Sequence, residues 1–86
     1  MAINKTTSEI KYKVLEECGT LSTRKGKYGE EHLKLRYMSW NDRDPRYDIR
    51  PWYPDENGNE MPAKMRSLTG EELVELGKII NKLAEE

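Results

Sequence analysis

The chain has 86 residues, of which 35% are hydrophobic and 36% are charged, and its formal net charge is −1. A domain this small has a marginal core of its own, so we expect a partner chain to help stabilise it. The single cysteine and single histidine exclude an intrachain disulfide and a Cys/His zinc site, and we expect neither a metal nor a cofactor. The lack of a long apolar run and of a secretory leader favours a cytoplasmic protein without a membrane span.

The charges are divided unevenly along the chain. Residues 1–68 carry 13 basic and 11 acidic side chains, whereas residues 69–86 carry two basic and five acidic ones. A basic face can therefore exist on a protein whose net charge is slightly negative. We expect residues 1–8 to form a flexible leader and residues 9–86 to form one domain.

The first predicted strand lies near Ile10, Tyr12 and Val14, which alternate with two lysines in the pattern of a half-buried strand. Gly19 interrupts the strand formers around it, and we interpret the segment as one long strand that is bulged near this glycine. The alternative is a break there into two strands. A basic, glycine-containing hairpin loop follows at residues 24–29.

Three further strands are predicted before the helix. The second strand has apolar residues at Leu33, Leu35 and Tyr37. The third has them at Tyr47 and Ile49, after a turn at residues 41–45. An Asn-Gly pair marks the next turn, and a short fourth strand is expected over residues 60–66.

One amphipathic helix closes the chain. Thr69 and Glu72 have the spacing of a capping box, which marks the start of a helix. Apolar residues then recur at helical spacing at Leu73, Leu76, Ile80 and Leu83. Four strands followed by one helix predict an α+β fold, in which the helix covers one face of an antiparallel sheet.

The helix also suggests how two chains could meet. Its apolar surface is wider than one sheet face needs, and Gly77 in mid-helix costs about 1 kcal/mol relative to alanine. A close crossing of two helices in a homodimer explains both features, whereas the alternative is that Gly77 is a neutral accident. The predicted dimer interface consists of Leu73, Leu76, Gly77, Ile80 and Leu83.

Alternation places the polar strand residues on the outer face of the sheet, away from the helix. If Tyr12, Leu33 and Tyr47 point to the helix, the outer face carries Lys11, Lys13, Lys34, Arg36, Arg46, Arg50, Trp40 and Trp52. Such a face suits a single-stranded nucleic acid, whose bases stack on rings and whose phosphates need cations. The alternatives are a merely solvated face and a Trp40 that packs as core. Asp48 is expected to accept hydrogen bonds from Arg50, Arg36 or a turn amide.

The hairpin loop offers a second basic surface. Its cations are Arg24, Lys25 and Lys27, and Tyr28 adds an aromatic ring. We interpret the loop as a flexible arm that closes over a nucleic-acid backbone. The alternative is a soluble hairpin tip.

Several motifs occur in an order that resembles a known family. They are KLRYMSW at 34–40, YDIR at 47–50, Trp52 with Tyr53, an acidic-glycine turn at 55–58 and SLT at 67–69. This order is similar to that of the positive cofactor four family of transcriptional coactivators, and more closely to its short bacterial YdbC-like branch. The resemblance covers about residues 9–84.

The resemblance implies a curved four-stranded sheet with a C-terminal helix, and a dimer formed through the helix and the last strand. It implies a groove that binds single-stranded DNA with little sequence preference, in transcription, replication or repair at the nucleoid. The implied DNA contacts are Lys34, Arg36, Arg43, Arg46 and Arg50. For the ring at the end of the third strand, Tyr53 matches the eukaryotic members and Trp52 matches the bacterial ones.

We therefore predict a homodimer that binds single-stranded DNA and takes no small-molecule substrate. We predict no enzyme, because no nucleophile with a base, no shared carboxylate pair and no phosphate-binding glycine loop has a recognisable spacing. The alternatives are a protein-interaction module that uses the Trp/Arg face and a binder of single-stranded RNA.

Overall fold

The structure, a computed structural model, describes residues 11–85. It contains, in chain order, β1 (Tyr12–Lys25), β2 (Glu30–Trp40), β3 (Arg46–Pro54), β4 (Glu60–Pro62) and α1 (Gly70–Ala84). Each strand pairs antiparallel with the next, so the sheet order is β1-β2-β3-β4. The predicted α+β fold of four strands and one C-terminal helix is confirmed. The predicted leader and Ile10 lie outside the described residues.

β1 is one long bulged strand, as predicted, and no break occurs at Gly19. Its register against β2 shifts three times, between Val14 and Glu16, between Glu17 and Gly19, and between Thr20 and Ser22. Each extra residue bends the strand, increases its twist and exchanges the residues that point to the two faces. The sheet is therefore curved, and simple alternation along β1 cannot assign its faces.

The main core lies between the sheet and α1. Its buried residues are Leu21, Leu33, Leu35 and Ile79, and the partly buried ones are Cys18, Ile49, Leu68, Leu76 and Leu83. The prediction that Leu33 and Leu35 face the helix is thus confirmed. Tyr47 was predicted for the same core but is 61% exposed, because α1 packs on β1 and leaves this part of β3 uncovered.

The bulged part of β1 allows α1 to approach closely at Gly19. A Cβ atom built at this position would lie 2.7 Å from Cδ1 and 3.0 Å from Cγ1 of Ile79. Any other residue at position 19 would therefore push the Ile79 side chain away from the sheet. Glycine is needed here for space rather than for backbone conformation.

Replacing Gly19 with Ala is expected to lower the free energy of unfolding by about 1–3 kcal/mol, the usual cost of overpacking a core. Ile79 is only 9% exposed and packs against three buried leucines, so it has little room to move. Urea denaturation followed by circular dichroism measures the change. Gly70→Ala is the control, because a Cβ there meets nothing within 4 Å. Equal stability of the Gly19 variant and the wild type would contradict this close packing.

α1 begins at the predicted capping box. The Thr69 hydroxyl accepts a hydrogen bond from the Glu72 amide at 3.1 Å, and the Glu72 carboxylate accepts one from the Thr69 amide at 2.9 Å. The same carboxylate accepts hydrogen bonds from Arg66 at 3.0 and 2.9 Å and from the Ser22 hydroxyl at 2.5 Å. Arg66 thus belongs to an irregular segment that leads to the helix, and β4 ends at Pro62 rather than at residue 66.

Candidate nucleic-acid interface

The sheet face opposite α1 holds a cluster of three aromatic rings. The indoles of Trp40 and Trp52 lie 6.1 Å apart with 15° between their planes, and the Tyr12 ring lies 5.4 and 5.2 Å from them. Trp40 pairs with Tyr12 at one end of β2, whereas Trp52 pairs with His32 toward the other end. Side chains so far apart along the sheet can meet only because the sheet is strongly curved. We call this side the concave face.

An arginine stacks on each indole. The Cζ atom of Arg36 lies 4.5 Å from the Trp52 ring centroid, and that of Arg50 lies 4.5 Å from the Trp40 centroid. Asp48 accepts hydrogen bonds from Nε and Nη2 of Arg50 at 2.7 and 2.6 Å, which confirms one of its predicted partners. A guanidinium that is bound bidentately and also stacked on an indole is held in one orientation.

Two carboxylates hold Arg36. Its Nε donates to Glu17 at 2.9 Å, and its Nη2 lies 2.7 Å from Glu17 and 2.9 Å from Glu60. The other Glu60 oxygen accepts a hydrogen bond from Lys34 Nζ at 2.7 Å. Burial opposes the charge on Arg36, but the bonds and charges of the two glutamates outweigh it and raise the Arg36 pKa. Burial also opposes the charge on Glu60, yet Lys34 and Arg36 lower its pKa.

Two residues predicted to contact nucleic acid from an open face are buried. Trp52 is 1% exposed and Arg36 is 3% exposed, so the predicted exposure of both is wrong. The bulges turn Tyr12 to the concave face, where it covers both indoles instead of pointing to α1 as predicted. Met38, which by alternation lies on the same face of β2 as Arg36, is fully buried as well.

Lys34 and Arg50 lie at the rim of the concave face. Their side chains are 18% and 24% exposed, and each is already in an ion pair, with Glu60 and Asp48 respectively. The charges of these two rim cations are therefore balanced by carboxylates of the chain. A phosphate that reached either side chain would have to compete with a carboxylate.

The open part of the concave face is a groove of about 560 Å³ beside the turn between β2 and β3. The residues that line it are Met38, Trp40, Asp42, Arg43, Asp44 and Arg46. Asn41 and Asp42 adopt positive φ angles of 51° and 62°, and the Arg43 amide donates to the Trp40 carbonyl at 3.0 Å, which shapes the turn. Arg43 and Arg46 are exposed, and neither forms an ion pair with any residue in the range 11–85. We call this site the Trp40 groove.

Lys11 and Lys13 lie beside the Trp40 groove but not on the predicted face. Lys13 pairs with Ser39 and, by alternation, points to the side opposite Tyr12. The prediction that both lysines share a face with the indoles is wrong, because Tyr12 occupies that face in this part of β1. The lysines line a neighbouring groove of about 320 Å³ with Tyr12, Ser39 and Asp42. Since Asp42 lines both grooves, the exposed lysines adjoin the exposed arginines.

The hairpin loop lies at the opposite end of the β1–β2 pair. Arg24 is in an ion pair with Glu31 at 2.7 Å. Lys25 is exposed, and Lys27 Nζ lies 5.3 Å from the centroid of the Tyr28 ring, which is itself 50% exposed. The loop therefore offers two cations and one ring to solvent, far from the Trp40 groove.

Of the two rings at the end of β3, Tyr53 is the exposed one, at 37%. It pairs with Met61 and points away from the concave face that holds Trp52. Pro54, the next residue, packs close to Gly29 of the hairpin loop. Tyr53 is thus available at the hairpin end of the sheet, whereas Trp52 has a supporting position inside it.

An apolar surface runs along α1 and β3. Leu73, Ile80 and Tyr47 are 60%, 51% and 61% exposed, and we call these three residues the apolar strip. A groove of about 490 Å³ adjoins it, lined by Leu35, Tyr47, Ile49, Leu76, Ile80, Leu83 and Ala84. Leu76 and Leu83 are partly buried against the chain's own core, so only part of the predicted dimer interface is fully open.

Sequence reasoning missed Glu17 and Glu60 as parts of this site. They bind Arg36 from 19 and 24 residues away, so no local spacing connects them. Glu17 pairs with Arg36 across β1 and β2, and this register could have indicated the contact. The bulges of β1 make the register impossible to count from the sequence. For Glu60 no signal existed before the curvature of the sheet was known.

Within residues 11–85 no group of His, Cys, Asp and Glu could hold a metal ion, and no helix is long and apolar enough to cross a membrane.

Comparison with known proteins identifies a relative of the chain. No protein-family model matches the sequence. An uncharacterized protein of Treponema pallidum (strain Nichols) is 36% identical over 76 residues, which cover 88% of this chain and 82% of the Treponema protein. The chain belongs to the same family as this Treponema protein.

Proposed function

We propose that the protein is a non-enzymatic homodimer that binds single-stranded DNA with little sequence preference, in transcription, replication or repair. The observation that carries this proposal is the Trp40 groove, where an indole lies beside two exposed arginines that have no carboxylate partner in the described part of the chain. Cations next to aromatic surface are the usual means of binding a single strand without reading its sequence. The motif order shared with the positive cofactor four family supports the choice of single-stranded DNA.

The groove suggests which groups each side chain would contact. Arg43 and Arg46 are free to neutralise phosphates, and the lysines of the adjoining groove extend the same basic area. Arg50 covers one face of the Trp40 ring, and the nearly parallel Trp52 ring lies 6.1 Å from it. A base would therefore contact the open edge of Trp40, or reach its face by replacing the Arg50 guanidinium. In this proposal Trp52 supports Trp40 and does not itself stack on bases.

The hairpin end of the sheet gives the single-stranded DNA a second place to bind. Lys25, Lys27 and the exposed rings of Tyr28 and Tyr53 have the same combination of cations and aromatic surface as the Trp40 groove. The two basic areas lie at opposite ends of the β1–β2 pair. A DNA strand that contacted both basic areas would cross the rim of the concave face, where Lys34 lies.

The apolar strip supports the homodimer. It exposes Leu73, Ile80 and Tyr47 beside an apolar groove, and clustered apolar surface of this kind commonly marks an interface. Gly77 is exposed on α1, and a Cβ there would meet nothing within 4 Å, so the chain itself gives no reason for a glycine. A second helix crossing at Gly77 would supply that reason.

The direct test is a titration of oligo-dT followed by tryptophan fluorescence at several salt concentrations. We expect a change in the emission of Trp40 and an affinity that falls as salt rises, with a log-log slope of about −0.7 for each phosphate neutralised. Competition by oligo-U distinguishes a preference for RNA. Weak binding that does not depend on salt would contradict the proposal.

The Arg43→Gln, Arg46→Gln double variant should bind oligo-dT more weakly and with a salt slope reduced by about 1.4, because two phosphate contacts are lost. Both side chains are exposed, so the stability of the fold should not change. The matched control is Lys78→Gln with Lys82→Gln, which removes the same charge from exposed positions on α1. An unchanged slope in the arginine variant would remove the Trp40 groove from the binding site.

A further inference from the structure

The Glu60 carboxylate occupies the position between two cations of the concave face. One of its oxygens lies 2.9 Å from Arg36 Nη2, and the other accepts a hydrogen bond from Lys34 Nζ at 2.7 Å. Bridging a lysine and an arginine with two oxygens is also how a phosphate group binds such a pair. The carboxylate is therefore a chemical substitute for a phosphate at this position.

The Glu60 side chain is placed so that it can move away from Lys34 and Arg36 without disturbing the core. It is the first residue of β4, a strand of three residues that pairs only with the end of β3, and its side chain is 37% exposed. Arg36 would keep both bonds to Glu17 after Glu60 moved, so its buried charge would stay compensated. Rotation of the Glu60 side chain into solvent is enough to free Lys34 Nζ and one of the two N–H donors of Arg36 Nη2, while the other stays with Glu17.

The arginine has a further donor to offer an incoming ligand. Arg36 Nη1 is buried and has no hydrogen-bond acceptor among the described residues. A buried donor without a partner costs free energy until an acceptor reaches it. A phosphate has more acceptor oxygens than a carboxylate, so in place of Glu60 it could bind Nη1 as well as Nη2.

We propose that Glu60 is an internal competitor of the nucleic acid, which leaves Lys34 and Arg36 when a backbone phosphate of the bound strand takes its place. This inference rests on the proposed function. It assigns the partner chemistry, a phosphodiester, to two cations that are neutralised in the unbound chain. It also identifies an acidic residue that limits the affinity.

Replacing Glu60 with Gln should therefore tighten oligo-dT binding about two- to fivefold, the range expected for removing one partly exposed ion pair. The salt slope should stay about the same, because the wild type and the variant neutralise the same phosphates once Glu60 has moved. Glu60→Ala is the second variant, since Gln keeps one oxygen that can still accept from Lys34. Thermal unfolding of both variants verifies that the fold is retained.

Glu56→Gln is the matched control. Glu56 lies in the turn before β4, is exposed and forms no ion pair with any residue in the described range, yet its replacement changes the net charge equally. Equal gains in the Glu56 and Glu60 variants would mean a general charge effect and would overturn the inference. Weaker binding by the Glu60 variants alone would also overturn it, because Glu60 would then position the cations. A wild type that binds no oligo-dT would reject the proposed function itself, and the inference with it.

Discussion

The Glu72→Gln variant is expected to unfold at a temperature more than about 5 °C below that of the wild type. Glu72 is 5% exposed, and its carboxylate accepts hydrogen bonds from three parts of the chain: Ser22 in β1, Arg66 before the helix and the Thr69 amide at the helix start. A glutamine has one acceptor oxygen instead of two. Its amide nitrogen would therefore face a donor from Ser22 or Arg66 and leave that donor unsatisfied.

The same substitution should change how stability depends on pH. Hydrogen bonds from Arg66 are the largest cause that lowers the Glu72 pKa, followed by those from Ser22 and the Thr69 amide. A carboxylate whose pKa is lower in the folded chain stabilises it above the unfolded pKa of about 4.3. That stabilisation is lost as the pH falls from the unfolded pKa toward the folded one. The difference in stability between the wild type and the variant should therefore shrink between about pH 5 and about pH 2.

Thermal unfolding at several pH values measures both effects. Glu71→Gln is the control, because Glu71 is an exposed neighbour in the same helical turn and its replacement removes the same charge. Asp55 and Glu60 also have lowered pKa values, but they are present in both proteins and cancel in the difference. A difference that stayed constant down to the lowest pH would show that the Glu72 charge does not hold the helix to β1.

Local patterns were enough to predict the order of the elements. Thr69 and Glu72 predicted the helix start, because a capping box involves residues only three positions apart. Leu33 and Leu35 predicted the core face of β2, whose pairing with β3 has no register shift. Where a strand stays regular, alternation along the sequence assigns its faces correctly.

Which side chains form the candidate site depended on the bulges of β1 and on the curvature of the sheet, and no short sequence pattern indicates either of them. Each bulge in β1 exchanges which residues point to the two faces of the sheet. Regular alternation along the sequence therefore placed Tyr12 on the wrong side. Curvature then brought Trp40 and Trp52 together and buried Trp52, although their positions in the sheet are far apart. The sequence predicted which residue types meet on this face, but fewer of them reach solvent than predicted. Arg43 and Arg46 are exposed, whereas Trp40 and the rim cations are only partly exposed.

Replacing Ile80 with Glu is expected to convert the proposed homodimer to a monomer at concentrations where the wild type is dimeric. Ile80 is 51% exposed, so the substitution should cost the single chain little stability. In a dimer formed through the apolar strip it would bury a carboxylate without a partner, and the dimer Kd should rise by about two orders of magnitude or more. Mass measurement by light scattering after size-exclusion chromatography distinguishes the two states.

Asn81→Glu is the control for the added charge, because Asn81 is exposed and, as the next residue along α1, points about 100° away from Ile80. The control should keep the mass of the wild type. A wild type that is already monomeric, or an Ile80 variant that stays dimeric, would show that the apolar strip is not the dimer interface. The proposed dimer would join two sets of basic grooves, so the Ile80 variant should also lose affinity for long oligo-dT more than for short oligo-dT. Equal losses at both lengths would mean that each chain binds its strand independently.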